Sequence, residues 1–261
     1  MTKRCDITAT LTDTHVHLDD RQFNKDRDRV IQRALEAGVQ FLINVGTDVN
    51  HTRASISLAE RYPAIYATAG LHPHDAGGAS DVVLSDIEGL ARHPKVVAIG
   101  EMGLDFFRDY APRADQRRVF REQIRLSRRL GLPLVIHSRA ADEETIAILR
   151  DEGADEVGGV LHCFPGDMAM AEAAIAMNFL LGIGGSITRN PERLEVACEI
   201  PLEHLVLETD CPYLTPKPHR GRNEPAFVRT VAERLARAKG VSLDDVLTIT
   251  GQNALDVFHL A

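Results

Sequence analysis

The chain has 261 residues, 44% of them hydrophobic and 26% charged, a size and balance that fit one (β/α)8 barrel and exclude a disordered or low-complexity chain. Its formal net charge of −8 excludes a protein that coats nucleic acid through a broad basic surface, because such binding rests on many Lys and Arg contacts to phosphates. It leaves room for a local phosphate site in a metal-lined cleft. No stretch approaches the roughly 20 apolar residues that cross a bilayer, so no membrane association is expected and the expected compartment is the cytoplasm. The four cysteines, Cys5, Cys163, Cys198 and Cys211, are scattered without a Cys-x-x-Cys pair and read as reduced thiols, with neither a disulfide framework nor a thiolate zinc site.

In chain order, eight short runs of β-branched and apolar residues, bounded by Gly, Pro, Asp or Asn, read as strands at 9–15, 39–46, 64–71, 96–103, 133–138, 159–164, 179–185 and 205–210. Between them helical periodicity is clearest at 26–37, 52–61, 114–130, 167–177 and 224–239. The Pro- and Gly-rich stretch 212–225 reads as a long loop after the eighth strand, since too few residues follow it for a second core. Residues 243–260 read as one or two added helices that pack on the barrel wall or cover its bottom. Strand and helix alternate, which implies a parallel sheet with right-handed crossovers, and eight units favour closure. The expected architecture is a (β/α)8 TIM barrel with additional C-terminal helices, one domain over 1–261. A Rossmann reading wants a Gly-x-Gly-x-x-Gly turn after the first strand, where this chain has His15-Val16-His17.

Ligand-type residues stand at the carboxyl ends of five of these runs: His15 and His17, Glu101, His137, His162, and Asp210. In a barrel those ends converge on the face that carries function. Nitrogen and carboxylate donors without thiolate suit Zn²⁺, Mn²⁺, Mg²⁺ or a similar ion, and six ligands exceed what one tetrahedral zinc needs. Two divalent metal ions are therefore expected, with Glu101 bridging, His15 and His17 on one ion, and His137 and His162 on the other. Asp210 is expected to bind the first ion and to act as general base, so that Glu101 and Asp210 are the catalytic candidates. Cys163 and Cys211 each follow a ligand by one position, and strand alternation points them away from the cleft. Glu208 shares the parity of Asp210 one layer deeper and suits a carboxylate that orients a histidine. Asp105 either does the same or caps a loop. Expected substrate contacts are His72 and His74 after the third strand, Arg139 after the fifth, and Arg220 and Arg222 in the long loop near Lys217 and His219; for Arg220 and Arg222 a solvated loop is an equal reading.

The blocks Asp13-Thr14-His15-Val16-His17-Leu18-Asp19, Gly70-Leu71-His72-Pro73-His74, Gly100-Glu101-Met102-Gly103-Leu104-Asp105-Phe106, Pro133-Leu134-Val135-Ile136-His137-Ser138-Arg139, Leu161-His162-Cys163-Phe164, Glu208-Thr209-Asp210-Cys211-Pro212-Tyr213-Leu214 and Arg220-Gly221-Arg222-Asn223-Glu224-Pro225 resemble the TatD family of metal-dependent deoxyribonucleases, a branch of the amidohydrolase-like TIM barrels. The resemblance spans nearly the whole chain and implies the same six metal ligands. Ala140 departs from it, because the family commonly has an acidic residue there. The function it implies is metal-dependent hydrolysis by an activated water, with DNA or another phosphodiester as partner and a 3'-5' exonuclease mode favoured. No obligate protein partner is implied. The alternatives are hydrolysis of a carbonyl substrate, such as a D-aminoacyl-tRNA ester or a cyclic amide, and a nonenzymatic metal-binding protein. A carboxylated lysine often bridges the metals of carbonyl-cleaving amidohydrolases, and Glu101 at that place favours phosphodiesters.

Overall fold

A computed structural model describes residues 9–260; Cys5 and the first part of the N-terminal segment lie outside the described residues. Eight strands form one parallel sheet in sequence order: β1 (Leu11–Val16), β2 (Val39–Asn44), β3 (Ile65–Ala69), β4 (Val96–Asp105), β5 (Leu134–Arg139), β6 (Gly159–Leu161), β7 (Phe179–Ile183) and β8 (Leu205–Leu207). The seam between β8 and β1 is closed by a parallel bridge between Val16 and Cys211, with His17 N donating to Cys211 O at 2.9 Å and Asp210 N to His15 O at 3.0 Å. The fold is the expected TIM barrel.

Helices wrap the sheet at α1 (Arg27–Glu36), α2 (Val49–Arg61), α3 (Asp81–Ala91), α4 (Arg113–Leu130), α5 (Asp142–Asp151), α6 (Met168–Ile175), α7 (Pro191–Glu199), α8 (Val228–Lys239) and α9 (Leu243–Val257). Side-chain caps set several starts, since Asp48, Ser80, Asp167, Asn190 and Ser242 each accept a backbone N–H of the first turn. Gly131 and Gly240 end α4 and α8 in the left-handed region. The helices α3, α5 and α7 were not among the clearest sequence signals. In α3 the exposed Val82 blurs the apolar stripe, and α5 is only ten residues with no capping side chain at Ala141.

The C-terminal stretch is one helix, and it covers the bottom of the barrel. Asn253 Nδ2 donates to the carbonyls of Leu202 and Leu205, both at 2.8 Å, where β8 begins. Gly251 sits so close to the start of β1 that a Cβ there would lie 2.2 Å from Thr10 O, a close approach that glycine permits at some cost to helix propensity. Phe258 and Ala254 complete a buried cluster with Ile43, Val97, Val135, Val160 and Val206. The lower half of the barrel is thus apolar and plugged from below, while the polar ends lie above. Phe258→Ala removes the plug, and by analogy with other buried aromatic truncations it is expected to lower unfolding free energy by about 3–5 kcal/mol. Urea unfolding checks this; a loss below about 1 kcal/mol would show that α9 is an ornament on the fold.

Candidate metal centre

The upper ends of the strands bring Glu101 to the middle of a ring of imidazoles. Its side chain is buried, with the residue 3% exposed. Its two oxygens face different partners. Oε2 lies 3.3 Å from His15 Nε2 and 3.8 Å from His17 Nε2. Oε1 lies 2.9 Å from His137 Nδ1, 3.6 Å from His72 Nε2 and 3.9 Å from His162 Nε2. Two groups of donor atoms able to hold a metal therefore share this carboxylate: His15, His17 and Glu101, and His72, Glu101 and His137. Asp210 closes the first group, its Oδ1 3.5 Å from His17 Nε2.

The donor set fits a divalent ion on its own evidence. His15, His17, His72, His137 and His162 all turn a ring nitrogen to within 4.0 Å of one buried carboxylate, Glu101. His15 Nε2 and His17 Nε2 approach to 3.2 Å, and the His15 and His162 rings stack with centroids 3.4 Å apart. Such crowding of nitrogen lone pairs against carboxylates is what a cation would bind.

Burial by itself would raise the Glu101 carboxyl, but the charges of His15 and His72 and the hydrogen bonds from His137 and His15 outweigh it and hold it well below the usual range. Burial pushes His72 down to about 4 and, with the neighbouring His162, lowers His15 as well, whereas against their burial Asp210 lifts His17 to about 9 and Glu208 lifts His162 to about 10; a bound metal would displace the protons of these last two, because only the neutral imidazole ligates it. Asp210 is likewise held below its ordinary value, because the His17 hydrogen bond and the charges of His162 and His15 exceed its burial penalty.

Two outer carboxylates fix the rings. Glu208, fully buried, faces His162 Nδ1 with its Oε1 at 3.1 Å and accepts from Cys163 N at 2.7 Å. A side chain at Gly182 would collide with it, since a Cβ there would lie 2.4 Å from Glu208 Oε2. Asp105 resolves the choice left by the sequence, because it does both things. Its Oδ2 lies 2.8 Å from His74 Nε2 and 3.3 Å from His137 Nε2, while Oδ1 accepts from the backbone of Phe107 and Arg108 at 3.0 and 2.8 Å. Carboxylates in this position set the tautomer and aim of a metal-binding histidine.

Above the ring opens a cleft of about 950 Å³ whose wall includes His72, His74, Arg139 and Cys163. Three placements differ from the favoured reading of the sequence. Cys163 lines the cleft instead of turning away, because β6 ends at Leu161 and Cys163 takes a left-handed φ of 46°, which breaks the strand alternation. His72 stands with the candidate ligands through Glu101 and not only at the rim. Arg220 and Arg222 are not part of the cleft wall. Arg222 is turned back onto the scaffold, where its Nη1 and Nη2 each lie 2.8 Å from an oxygen of Asp26 and its guanidinium covers the Phe23 ring at 4.4 Å. Arg220 is exposed. Sequence reasoning also passed over Arg108, Arg189 and Arg193, which line the cleft from loops and the start of α7; their only signal was position after a strand end.

A family model described as "TatD related DNase" matches residues 12–259. The chain belongs to this TatD family. It is 44% identical to the protein named uncharacterized metal-dependent hydrolase YabD of Bacillus subtilis over 96% of this chain and 99% of that one. It is 38% identical to a protein named 3'-5' ssDNA/RNA exonuclease TatD of Salmonella typhimurium, over 95% of this chain and 98% of the relative. The crystal structure of YJJV, a TatD homolog from Escherichia coli K12, superposes with a TM-score of 0.91 at 32% identity, covering 97% of this chain and 99% of that one. The chain is accordingly a TatD-family metal-dependent hydrolase, with His and Glu groups able to hold a metal. Among the described residues no helix is long and apolar enough to cross a membrane.

Two outcomes follow for TatD-family chemistry in this chain. Protein stripped with a chelator and then given Mn²⁺ or Zn²⁺ at about 100 times Kd gains roughly 2.7 kcal/mol, seen as a rise in Tm of about 5–10 °C, and Glu101→Gln loses more than half of that rise. A wild-type Tm indifferent to metal would remove the ion from the ring. Arg222→Ala is expected to cost about 1–2 kcal/mol of stability through the lost charge-assisted pair while KM stays as in the wild type; a raised KM at unchanged stability would return Arg222 to the substrate.

Proposed function

We propose that this TatD-family chain is a phosphodiesterase of the nuclease type, a 3'-5' exonuclease acting on DNA or RNA single strands, with two divalent ions held by His15, His17, Glu101, His137, His162 and Asp210. The observation that carries the reading is the division of Glu101, one oxygen toward His15 and His17 and the other toward His137, His72 and His162. A carboxylate that serves two donor groups at once suits a pair of ions better than a single one. The names of the TatD relatives, among them a 3'-5' ssDNA/RNA exonuclease, support the substrate class.

When bound, divalent ions supply Lewis acidity that lowers the pKa of water and neutralises charge on a phosphate. The chain's own residues do the rest. Asp210, ionised and aimed by a left-handed φ of 56° just past β8, accepts the proton of the attacking water at its carboxylate. His17, 3.5 Å away, holds that carboxylate in place. Glu208 and Asp105 keep His162 and His137 from rotating. His74 and Arg139, on the cleft wall, orient the phosphate.

The test is a hydrolysis screen of the metal-loaded protein against single-stranded DNA, single-stranded RNA, a nucleotide diester, an aminoacyl-tRNA and a dihydropyrimidine. Turnover of the two strands and the diester is expected. Turnover of the aminoacyl ester alone would move the chain to carbonyl chemistry. General-base assistance is typically worth 10²- to 10⁴-fold, so Asp210→Asn is expected to lower kcat at least about 100-fold. Metal content measured on the same samples separates the roles: full metal with wild-type turnover would remove Asp210 from the mechanism.

A further inference from the structure

The charged groups on the cleft wall are sorted by side. Arg108 follows β4, Arg139 ends β5, and Arg189 and Arg193 follow β7, so four guanidiniums occupy one continuous sector of the rim. The opposite sector, after β1 and β3, carries Asp19, Asp20 and Asp75. Elsewhere on the surface many arginines are paired, as Arg33 is with Glu224, Arg117 with Glu144, Arg125 with Glu152 and Arg222 with Asp26, though others among the described residues, such as Arg237, are not; what sets the cleft arginines apart is that they share one wall. Among the described residues none of the four cleft arginines lies within 4.0 Å of a carboxylate oxygen. Their contacts are instead with neutral groups. Arg139 lies over the Phe107 ring at 4.2 Å, Arg193 donates to Cys163 Sγ at 3.8 Å, and Arg189 donates to the Thr215 carbonyl.

Unpaired guanidiniums held in place on a protein of net charge −8 form a local anion track, and their spread over the ends of three strands suits several phosphates in a row rather than one. The aromatic residue on the same side points to the kind of polyanion. Tyr110 is 67% exposed, lines the cleft, and meets the His74 ring edge-on at 4.7 Å. An exposed aromatic face beside a phosphate track is what stacks an unpaired base.

We infer that the sector from β4 to β7 binds the body of a single-stranded polynucleotide, with Arg108, Arg139, Arg189 and Arg193 on successive phosphates and Tyr110 under a base. The acidic sector repels continuation of the strand across the ring. Only a chain end therefore reaches Glu101 and Asp210, and the charge asymmetry is the device that makes cleavage terminal. This rests on the phosphodiesterase reading and adds to it the path of the strand.

The experiment measures binding, not turnover. A fluorescein-labelled decathymidylate with phosphorothioate linkages is titrated into the Mn²⁺-loaded protein across a salt series. For single strands log Kd changes with log salt by about 0.7 per phosphate contact, so Arg108→Gln and Arg193→Gln are each expected to reduce the slope by about 0.7 and together to weaken binding about 10-fold or more. Tyr110→Ala is expected to weaken binding with no change in slope, because stacking releases no counterions. Arg237→Gln, on the exposed outer face of α8, is expected to change neither. Failure of the wild type to bind, an unchanged slope in the cleft variants, or an equal effect at Arg237 would overturn the inference. If the binding pattern is as expected but no phosphodiester is hydrolysed in the substrate screen, the track stands and the proposed reaction falls.

Discussion

A carboxylate taken out of water must be compensated where it lies, and the upper half of this barrel is arranged around that need at Glu101. The compensating imidazoles come from four places in the chain: the end of β1, the loop after β3, β5, and the turn after β6. His72 and His137 come from the stretches on either side of β4 and the others from farther away in the chain, so the centre exists only when the staves stand side by side in order. The same requirement explains the second ring of carboxylates. Asp105 and Glu208 are buried beside histidines that would otherwise be free to turn, and each also accepts backbone N–H groups of the loop it supports. Charge, ring orientation and loop shape are held by the same few oxygens.

The division of labour along the barrel axis follows from this. Below, valines and isoleucines from the strands pack with Phe258 in a cluster with no charged member. Above, charged and polar groups sit in nearly the same degree of burial, which is destabilising in isolation and tolerable because the lower half is well packed. The TatD-family chain thus carries its strain and its chemistry at one end and its cohesion at the other.

Much of this was legible in the sequence. The eight apolar runs and the polar residue that ends each of five of them point to the barrel and to one face of it because strand ends converge in this fold. What the runs do not encode is where a strand stops hydrogen bonding. The strands read from the sequence run on past Leu161 and Leu207, to 164 and 210, yet β6 and β8 end at those two leucines, and Cys163 and Asp210 then adopt left-handed backbone. Alternation fails at such residues, which is why Cys163 faces the cleft. Pairing partners are equally silent in one dimension. Arg222 and Arg193 look alike as letters, but Asp26, 196 positions away from Arg222, claims only the former. His72 was readable as a cleft residue, and its distance to Glu101 was not.

The seam between the first and last strands has a consequence for how the protein comes into being. Asp13, buried, accepts from Thr209 N at 2.9 Å and from Thr209 Oγ1 at 2.6 Å, across a separation of 196 residues. His15, His17 and Asp210 are on the two sides of that clasp. A chain still leaving the ribosome holds the two histidines from the start but lacks both the clasp and Asp210 until more than three quarters of its length has been made. If Asp210 is the base we propose, the chain cannot hydrolyse a phosphodiester until the last stave of the barrel brings that carboxylate to His17.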